Sequence, residues 1–402
     1  MIKTAGSGAA ISLTPMQMSG DINLSDPNLI SLYFHVPFCK KKCDYCHFYV
    51  IPDKEPFKVD FMEGLKLEWD RWKDELFDKK VGSIYFGGGT PSLLGPKKIS
   101  EILSWVRSLE WMSEEIEITL EANPEDINFD LMKQYASVGI NRLSIGVQSL
   151  DDSLLSTLSR QHNAKRSIDA INCVRDAGIE NISIDLMYDI PHQTLEGWEK
   201  TLDVAIKLPV THLSLYNLVF EKHTVFYKQR SALQSFLPSE TESAKMYMMA
   251  VEKCQEGDFL QYEISAFEKP GFFSQHNVGY WKGRPFLGFG PSAFSYWKGK
   301  RFRNVANLNR YLRKLRDGES PVDYEEELIG ENKQRELLAI NLRVIEGVDL
   351  KEFQSRHGEL DPETHHVLQS LTSQGLLEIK DQRVKLTQQG ILFYDTVASE
   401  VI

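Results

Sequence analysis

From residue 29 to residue 217 the chain repeats one pattern six times: a short run of β-branched and aromatic residues, then a longer stretch with apolar residues at helical spacing. This alternation restricts the fold more than any other feature. Parallel strands need crossover connections long enough to hold a helix, so repeated βα units imply a parallel sheet. The runs predict strands over 31–36, 83–86, 116–120, 142–147, 182–187 and 212–217. Helices are expected between them. One spans 60–77, where Leu65, Leu67, Trp69, Trp72 and Leu76 alternate with charge. Others span 131–138 and 170–177 and close at Gly139 and Gly178, since glycine suits the left-handed residue that ends a helix.

Special residues gather at the ends of these runs. Cys39 follows the first, Gly87-Gly88-Gly89-Thr90 the second, Glu121 the third and Gln148 the fourth, while Asp185 lies within the fifth and Asn217 ends the sixth. Barrels and doubly wound sheets both place their sites at strand C-termini. The pattern therefore locates a site without deciding whether the sheet curls into a barrel. After about residue 325 the texture changes to closely spaced helices, then Leu377, Ile379, Val384 and Leu386 flank a polar turn. Helices followed by a two-stranded wing predict a winged-helix-like unit. The organisation read from sequence is a mobile leader over 1–28, a barrel over 29–235, a barrel extension over 236–322 and the winged-helix-like domain over 323–402.

Composition excludes several classes. A formal net charge of -11 over 402 residues lacks the basic excess needed to neutralise phosphates, so no nucleic-acid partner is expected, and the acidic run Tyr324-Glu325-Glu326-Glu327 gives the winged unit a packing or partner role. Residues 1–28 have neither a basic start nor a sustained apolar core, and no window approaches the ~20 apolar residues of a membrane span. A cytoplasmic protein is expected, with at most a transient peripheral membrane contact. Five cysteines, of which Cys173 and Cys254 read as isolated buried hydrophobes, do not make a disulfide framework and suit a reducing compartment.

The other three cysteines form CxxxCxxC: Cys39, Cys43 and Cys46. Structural zinc sites take four ligands, commonly as two separated pairs, and no second pair exists; His47, adjacent to Cys46, would strain a tetrahedral chelate. Iron-sulfur clusters are held by thiolates, and three of them leave one iron open to an exogenous ligand. Lys40, Lys41 and Lys42 between the first two cysteines either ease the cost of thiolates or form a solvated charge run.

CxxxCxxC after the first strand with a glycine-rich loop after the second resembles the radical S-adenosylmethionine (SAM) superfamily. The resemblance implies an α/β fold, a partial (βα)6 radical SAM barrel with a C-terminal winged-helix-like α+β domain. It also implies a 4Fe-4S cluster whose open iron is chelated by SAM, which reduction cleaves to a 5'-deoxyadenosyl radical. Within that superfamily Tyr33-Phe34-His35-Val36-Pro37-Phe38-Cys39, Phe86-Gly87-Gly88-Gly89-Thr90-Pro91-Ser92, Glu121-Ala122-Asn123-Pro124, Ile145-Gly146-Val147-Gln148-Ser149 and the segment from Ile184 to Pro191 resemble the oxygen-independent coproporphyrinogen III dehydrogenase (HemN-like) branch. By that resemblance Tyr33, Gly88 and Glu121 contact the cluster-bound SAM and Tyr45 lies near its adenine. Gly89, Thr90, Gln148, Arg160 and Asp185 match positions that hold a second SAM.

Two departures redirect the functional expectation. The dehydrogenase pattern continues as CxxxCxxCxC, whereas Phe48 stands at the last position, and residues 1–28 contain no arginine to grip porphyrinogen propionates. Both departures, and the string His276-Asn277-Val278-Gly279-Tyr280-Trp281, are similar to the HemW heme chaperones, whose HNxxYW signature is associated with heme binding. The resemblance implies heme contacts at His276, Asn277, Tyr280 and Trp281, with histidine as a common axial ligand. On residue chemistry alone those aromatics read equally as core. The expected function is heme delivery to a respiratory haemoprotein; the alternative is coproporphyrinogen III dehydrogenation or another radical SAM reaction on a tetrapyrrole.

Overall fold

The structure is a computed structural model that describes residues 26, 28–109 and 112–402. The leader expected over 1–28 therefore lies almost wholly outside the described residues. Six strands, β1 (Leu29–Val36), β2 (Lys80–Gly88), β3 (Met112–Ala122), β4 (Arg142–Gln148), β5 (Asn181–Tyr188) and β6 (His212–Asn217), pair in parallel in chain order. Every predicted run lies inside one of them. Because the order never reverses, the sheet has no topological switch point within this series, and a doubly wound arrangement is excluded. β1 is buried at seven of eight positions, which is why it reads as a near-continuous apolar run: helices cover one face and the barrel interior fills the other.

The series continues at both sides. After β6 the chain forms β7 (Leu260–Glu263) and β8 (Ala266–Glu268), with β8 antiparallel to β6. On the other side β9 (Phe286–Phe289) lies parallel to β1, followed by antiparallel β10 (Phe294–Trp297), β11 (Lys300–Asn304) and β12 (Val322–Glu327). The resulting order ends at β12 and at β7, so the barrel is partial. The acidic run lies in β12, where Asp323, Glu325 and Glu326 pair with Arg303, Lys300 and Arg301 at 3.0, 2.7 and 2.7 Å. Its charge is thus largely neutralised along an edge strand.

The crossover helices include α1 (Glu55–Leu76), α2 (Pro96–Arg107), α3 (Phe129–Val138), α4 (Ala164–Asp176) and α5 (Leu195–Ala205). α1 and α4 begin earlier than periodicity predicts. Pro56 sits in the first turn of α1, and the Asn163 side chain accepts from Arg166 N to cap α4, so caps rather than apolar spacing set these starts. Gly139 and Gly178 adopt φ of 109° and 93°, the left-handed closures expected of them. A seven-residue helix, α6 (Gln275–Trp281), carries the HNxxYW string and packs on β2.

Residues 330–402 have their own core, including Leu338, Leu342, Phe353, Leu368, Leu371, Val384 and Val397. Helices α7 (Gly330–Asn341), α8 (Leu350–His357) and α9 (Pro362–Ser373) precede a wing of Leu377–Lys380 and Arg383–Leu386, joined through Asp381 and Gln382 at φ of 49° and 65°. A short third strand, Val348–Asp349, pairs with the wing. No helix among the described residues is long and apolar enough to cross a membrane.

Candidate functional site

The loop after β1 is held against the loop after β2 by backbone. Gly89 N donates to Val36 O at 2.9 Å and Thr90 N to Phe38 O at 2.7 Å. A Cβ on Gly89 would meet Phe38 O at 2.7 Å, so only glycine permits this approach. Cys39, Cys43 and Cys46 are each half-buried. Burial pushes the Cys39 thiol up to about 11, opposed by a Thr90 hydrogen bond and the Arg160 charge, and the Cys43 and Cys46 thiols add to its cost.

Arg160 is the cation at these sulfurs. Its Nη1 lies 3.5 Å from Cys43 Sγ, and Nη2 donates to Asn123 Oδ1 at 2.7 Å and Gly146 O at 2.6 Å. Asn123 Nδ2 in turn donates to Thr90 Oγ1 at 2.9 Å, which stands 3.5 Å from Cys39 Sγ. A ring of Cys39, Thr90, Asn123, Arg160 and Cys43 thus ties four strand ends together. The lysines mainly brace the loop: Lys40 pairs with Asp126, Lys41 reaches Ser159 O at 3.4 Å and Lys42 reaches Phe48 O at 3.0 Å. Lys42 also eases ionisation of Cys46, as a minor contribution.

Beside this ring is a carboxylate cradle. Glu121, on β3, accepts from Tyr85 Oη at 2.8 Å and from Gly88 N at 3.1 Å. Burial pushes its carboxyl up to about 7, with the neighbouring Asp185 adding to the shift. Asp185 is pushed up to about 6, again mainly by burial, and accepts from Ser144 Oγ at 3.4 Å. Gly88 has φ of 110°, and a Cβ there would meet the His35 ring at 2.5 Å. Tyr33 stands beside it, its hydroxyl 3.1 Å from His35 Nδ1. Gln148, at φ of 65°, folds over Gly146, where an added Cβ would meet its Nε2 at 2.9 Å. Tyr45 faces Phe226 with ring centroids 6.4 Å apart, and Phe48 stands 48% exposed at the rim.

These residues fit a cluster and a zwitterionic ligand. Glu121 has two donors but no ion-pair partner among the described residues, and the Arg160 Nε is sealed from solvent with no hydrogen bond. A ligand amino group and carboxylate would satisfy both. In the sequence Asn123 stands only as part of a motif, and Tyr85 is not legible as a site residue. Asn123 carried a signal, its place one residue past β3. Tyr85 carried none, because a tyrosine in an apolar strand reads as core.

The HNxxYW residues fall elsewhere. His276 is 1% exposed in the barrel floor. Its Nδ1 lies 3.0 Å from Ser83 Oγ, and Ser83 spends its own proton on Ser31 Oγ at 2.9 Å. Nε2 lies 2.7 Å from the Tyr280 hydroxyl, so both ring nitrogens have partners within the protein whichever of them carries the proton. Iron ligation needs a free lone pair, and in this arrangement both nitrogens of His276, the expected axial ligand, are engaged within the protein. Asn277 N is capped by Ser274 Oγ at 3.3 Å, and Trp281 packs under the Arg343 guanidinium at 4.4 Å.

Three thiols after the first strand of an unreversed parallel series, on a loop bonded to a glycine loop that in turn holds a carboxylate, define a radical SAM scaffold. The radical SAM superfamily model matches residues 33–205 and the HemN C-terminal domain model matches 330–393. The heme chaperone HemW of Bacillus subtilis (strain 168) is 34% identical over 371 residues, 91% of this chain and 97% of that protein. HemW of Lactococcus lactis subsp. lactis (strain IL1403) is 33% identical, covering 91% and 95%. Among solved structures, the radical SAM enzyme coproporphyrinogen III oxidase (HemN) from Escherichia coli superposes with a TM-score of 0.80 at 22% identity, covering 92% of this chain and 89% of that one; this likeness is one of fold. The chain belongs to the HemW family of radical SAM proteins.

Proposed function

We propose that this protein is a cytoplasmic heme chaperone that holds a 4Fe-4S cluster on Cys39, Cys43 and Cys46, binds SAM in the adjoining cradle, and passes heme to a membrane-bound respiratory haemoprotein. The observation that carries the cofactor part is Glu121, a part-buried carboxylate with no ion-pair partner among the described residues, held beside the glycine loop by Tyr85 and Gly88. The heme part is supported by likeness over 91% of the chain to relatives named for heme chaperoning, together with Phe48 standing two places beyond Cys46.

When bound, the cluster and SAM supply one-electron reductive chemistry at the sulfonium. The chain's own residues bind and orient. Glu121 accepts from the ligand's amino group, Gly88 holds that carboxylate through its N–H, and Tyr33 and Tyr85 wall the chamber against water. Arg160 offers its unpaired Nε to a carboxylate. Asp185, Gln148 and Thr90 line the same mouth and accept from hydroxyl or amino donors.

The test compares the two tetrapyrrole activities directly. Anaerobically reconstituted protein is titrated with hemin while the Soret band is followed, and separately incubated with coproporphyrinogen III, SAM and a reductant. Saturable heme binding without product supports the chaperone reading. Formation of protoporphyrinogen would replace it with the dehydrogenase.

A further inference from the structure

The HNxxYW helix is built into the barrel floor beneath the carboxylate cradle. Glu117, 5% exposed on β3, accepts from the backbone N–H groups of Gln275 and His276 at 2.9 and 3.0 Å. The start of α6 is thereby fixed to the strand that carries Glu121 four residues later. His276 is then clamped at both nitrogens, by Ser83 of β2 and by Tyr280. Its ring faces Tyr85 at 4.9 Å and Tyr33 at 6.4 Å, and the two tyrosines stack on each other at 6.2 Å. Tyr85 spends its hydroxyl on Glu121, and a Cβ on Gly87 would meet Tyr85, Tyr33 and Glu121 at 2.9, 3.0 and 3.2 Å. The imidazole is therefore the base on which the aromatic wall of the cradle rests.

We infer that His276 and Tyr280 are positioning residues for the SAM cradle, acting through Tyr85 and Tyr33 on Glu121, and that the HNxxYW element supplies no axial ligand to heme iron. The physical argument is one of fixed valence. A buried histidine whose two nitrogens are satisfied within the protein sets the orientation of its neighbours, and freeing either nitrogen for a metal would leave the Ser83 or Tyr280 hydroxyl without its partner. The inference rests on the reading of Glu121 as a SAM ligand.

The experiment uses the full chain with its cluster reconstituted anaerobically. SAM affinity is measured by equilibrium dialysis, and the electron paramagnetic resonance of bound hemin reports its axial ligands. His276→Ala and Tyr280→Phe are expected to weaken SAM binding by about tenfold, the scale of one displaced charge-assisted hydrogen bond. Iron content and the hemin signature should match wild type. Tyr280→Phe keeps the ring and serves if His276→Ala fails to fold. This variant also separates the alternatives, because it removes the partner of His276 Nε2: an axial ligand would then bind hemin more tightly. Unchanged SAM affinity in Tyr280→Phe, tighter hemin binding in it, or an altered hemin signature in a folded His276→Ala would each overturn the inference. Failure of the wild-type chain to bind SAM would instead overturn the functional reading on which it rests.

Discussion

The titration of Glu121 follows from its surroundings. A carboxyl pushed up to about 7 by burial is proton-bound in the folded, ligand-free chain at a pH where the unfolded chain has already released that proton. The sign is then fixed: folded protein binds more protons, so this group makes stability fall as pH rises from its ordinary value through about 7. Ligand binding has the opposite slope, because an amino cation needs the carboxylate. SAM affinity is expected to rise between about pH 5.5 and about pH 8, with Asp185 adding to the lower part of the rise. Glu121→Gln should weaken binding by about tenfold or more and flatten that rise. Calorimetric titration across the range checks both, and an unaltered slope in the variant would move the proton elsewhere. The identity of Glu121 was legible in its motif; the shift was not, since it arises from burial and from Asp185 two strands away.

At the scale of elements, the site depends on two loops touching through glycine. Gly88 lies at φ of 110° with the His35 ring 2.5 Å from an added Cβ, whereas Gly95 has φ of 91° and nothing within 4 Å. Gly88→Ala is therefore expected to cost about 2 kcal/mol or more in stability and to impair SAM binding, because backbone strain and a collision with a buried ring add. Gly95→Ala carries the backbone strain alone. Urea unfolding of the pair isolates the collision, and equal losses would show that the His35 ring gives way freely. Strand identity was readable because parallel strands buried on both faces leave continuous apolar runs, whereas strand order was decided by the observed pairing. Helix starts were not, since Asn163 and Pro56 act through capping and backbone shape rather than apolar spacing.

For the whole molecule, the winged-helix-like unit is seated on the barrel through Arg343. Its guanidinium lies over Trp281 at 4.4 Å and Tyr394 at 5.1 Å, and its Nη2 reaches Glu263 and Ser265 at 3.3 Å. Backbone bonds flank it, from Ile264 N to Arg343 O at 3.1 Å and from Ile345 N to Tyr262 O at 3.0 Å. Arg343→Ala removes both stacked faces and leaves the Glu263 carboxylate buried without its partner, an expected loss of roughly 2 to 4 kcal/mol. Because residues 330–402 have a core of their own, thermal unfolding should separate into two transitions in the variant. A single transition at the wild-type temperature would remove Arg343 from the seam.

The chain's sequence determined the βα alternation, the thiol array, the glycine loop and the acidic ends of the strands, since each is a local pattern dictated by strand burial, backbone conformation or ligand spacing. Tertiary structure alone decided what faces what. Arg160 reaches Cys43 across 117 positions and His276 reaches Ser83 across 193, distances over which no periodicity carries information. A histidine in a short motif reads as a ligand, and only the packing of its helix on β2 reveals that its nitrogens already lie against Ser83 and Tyr280.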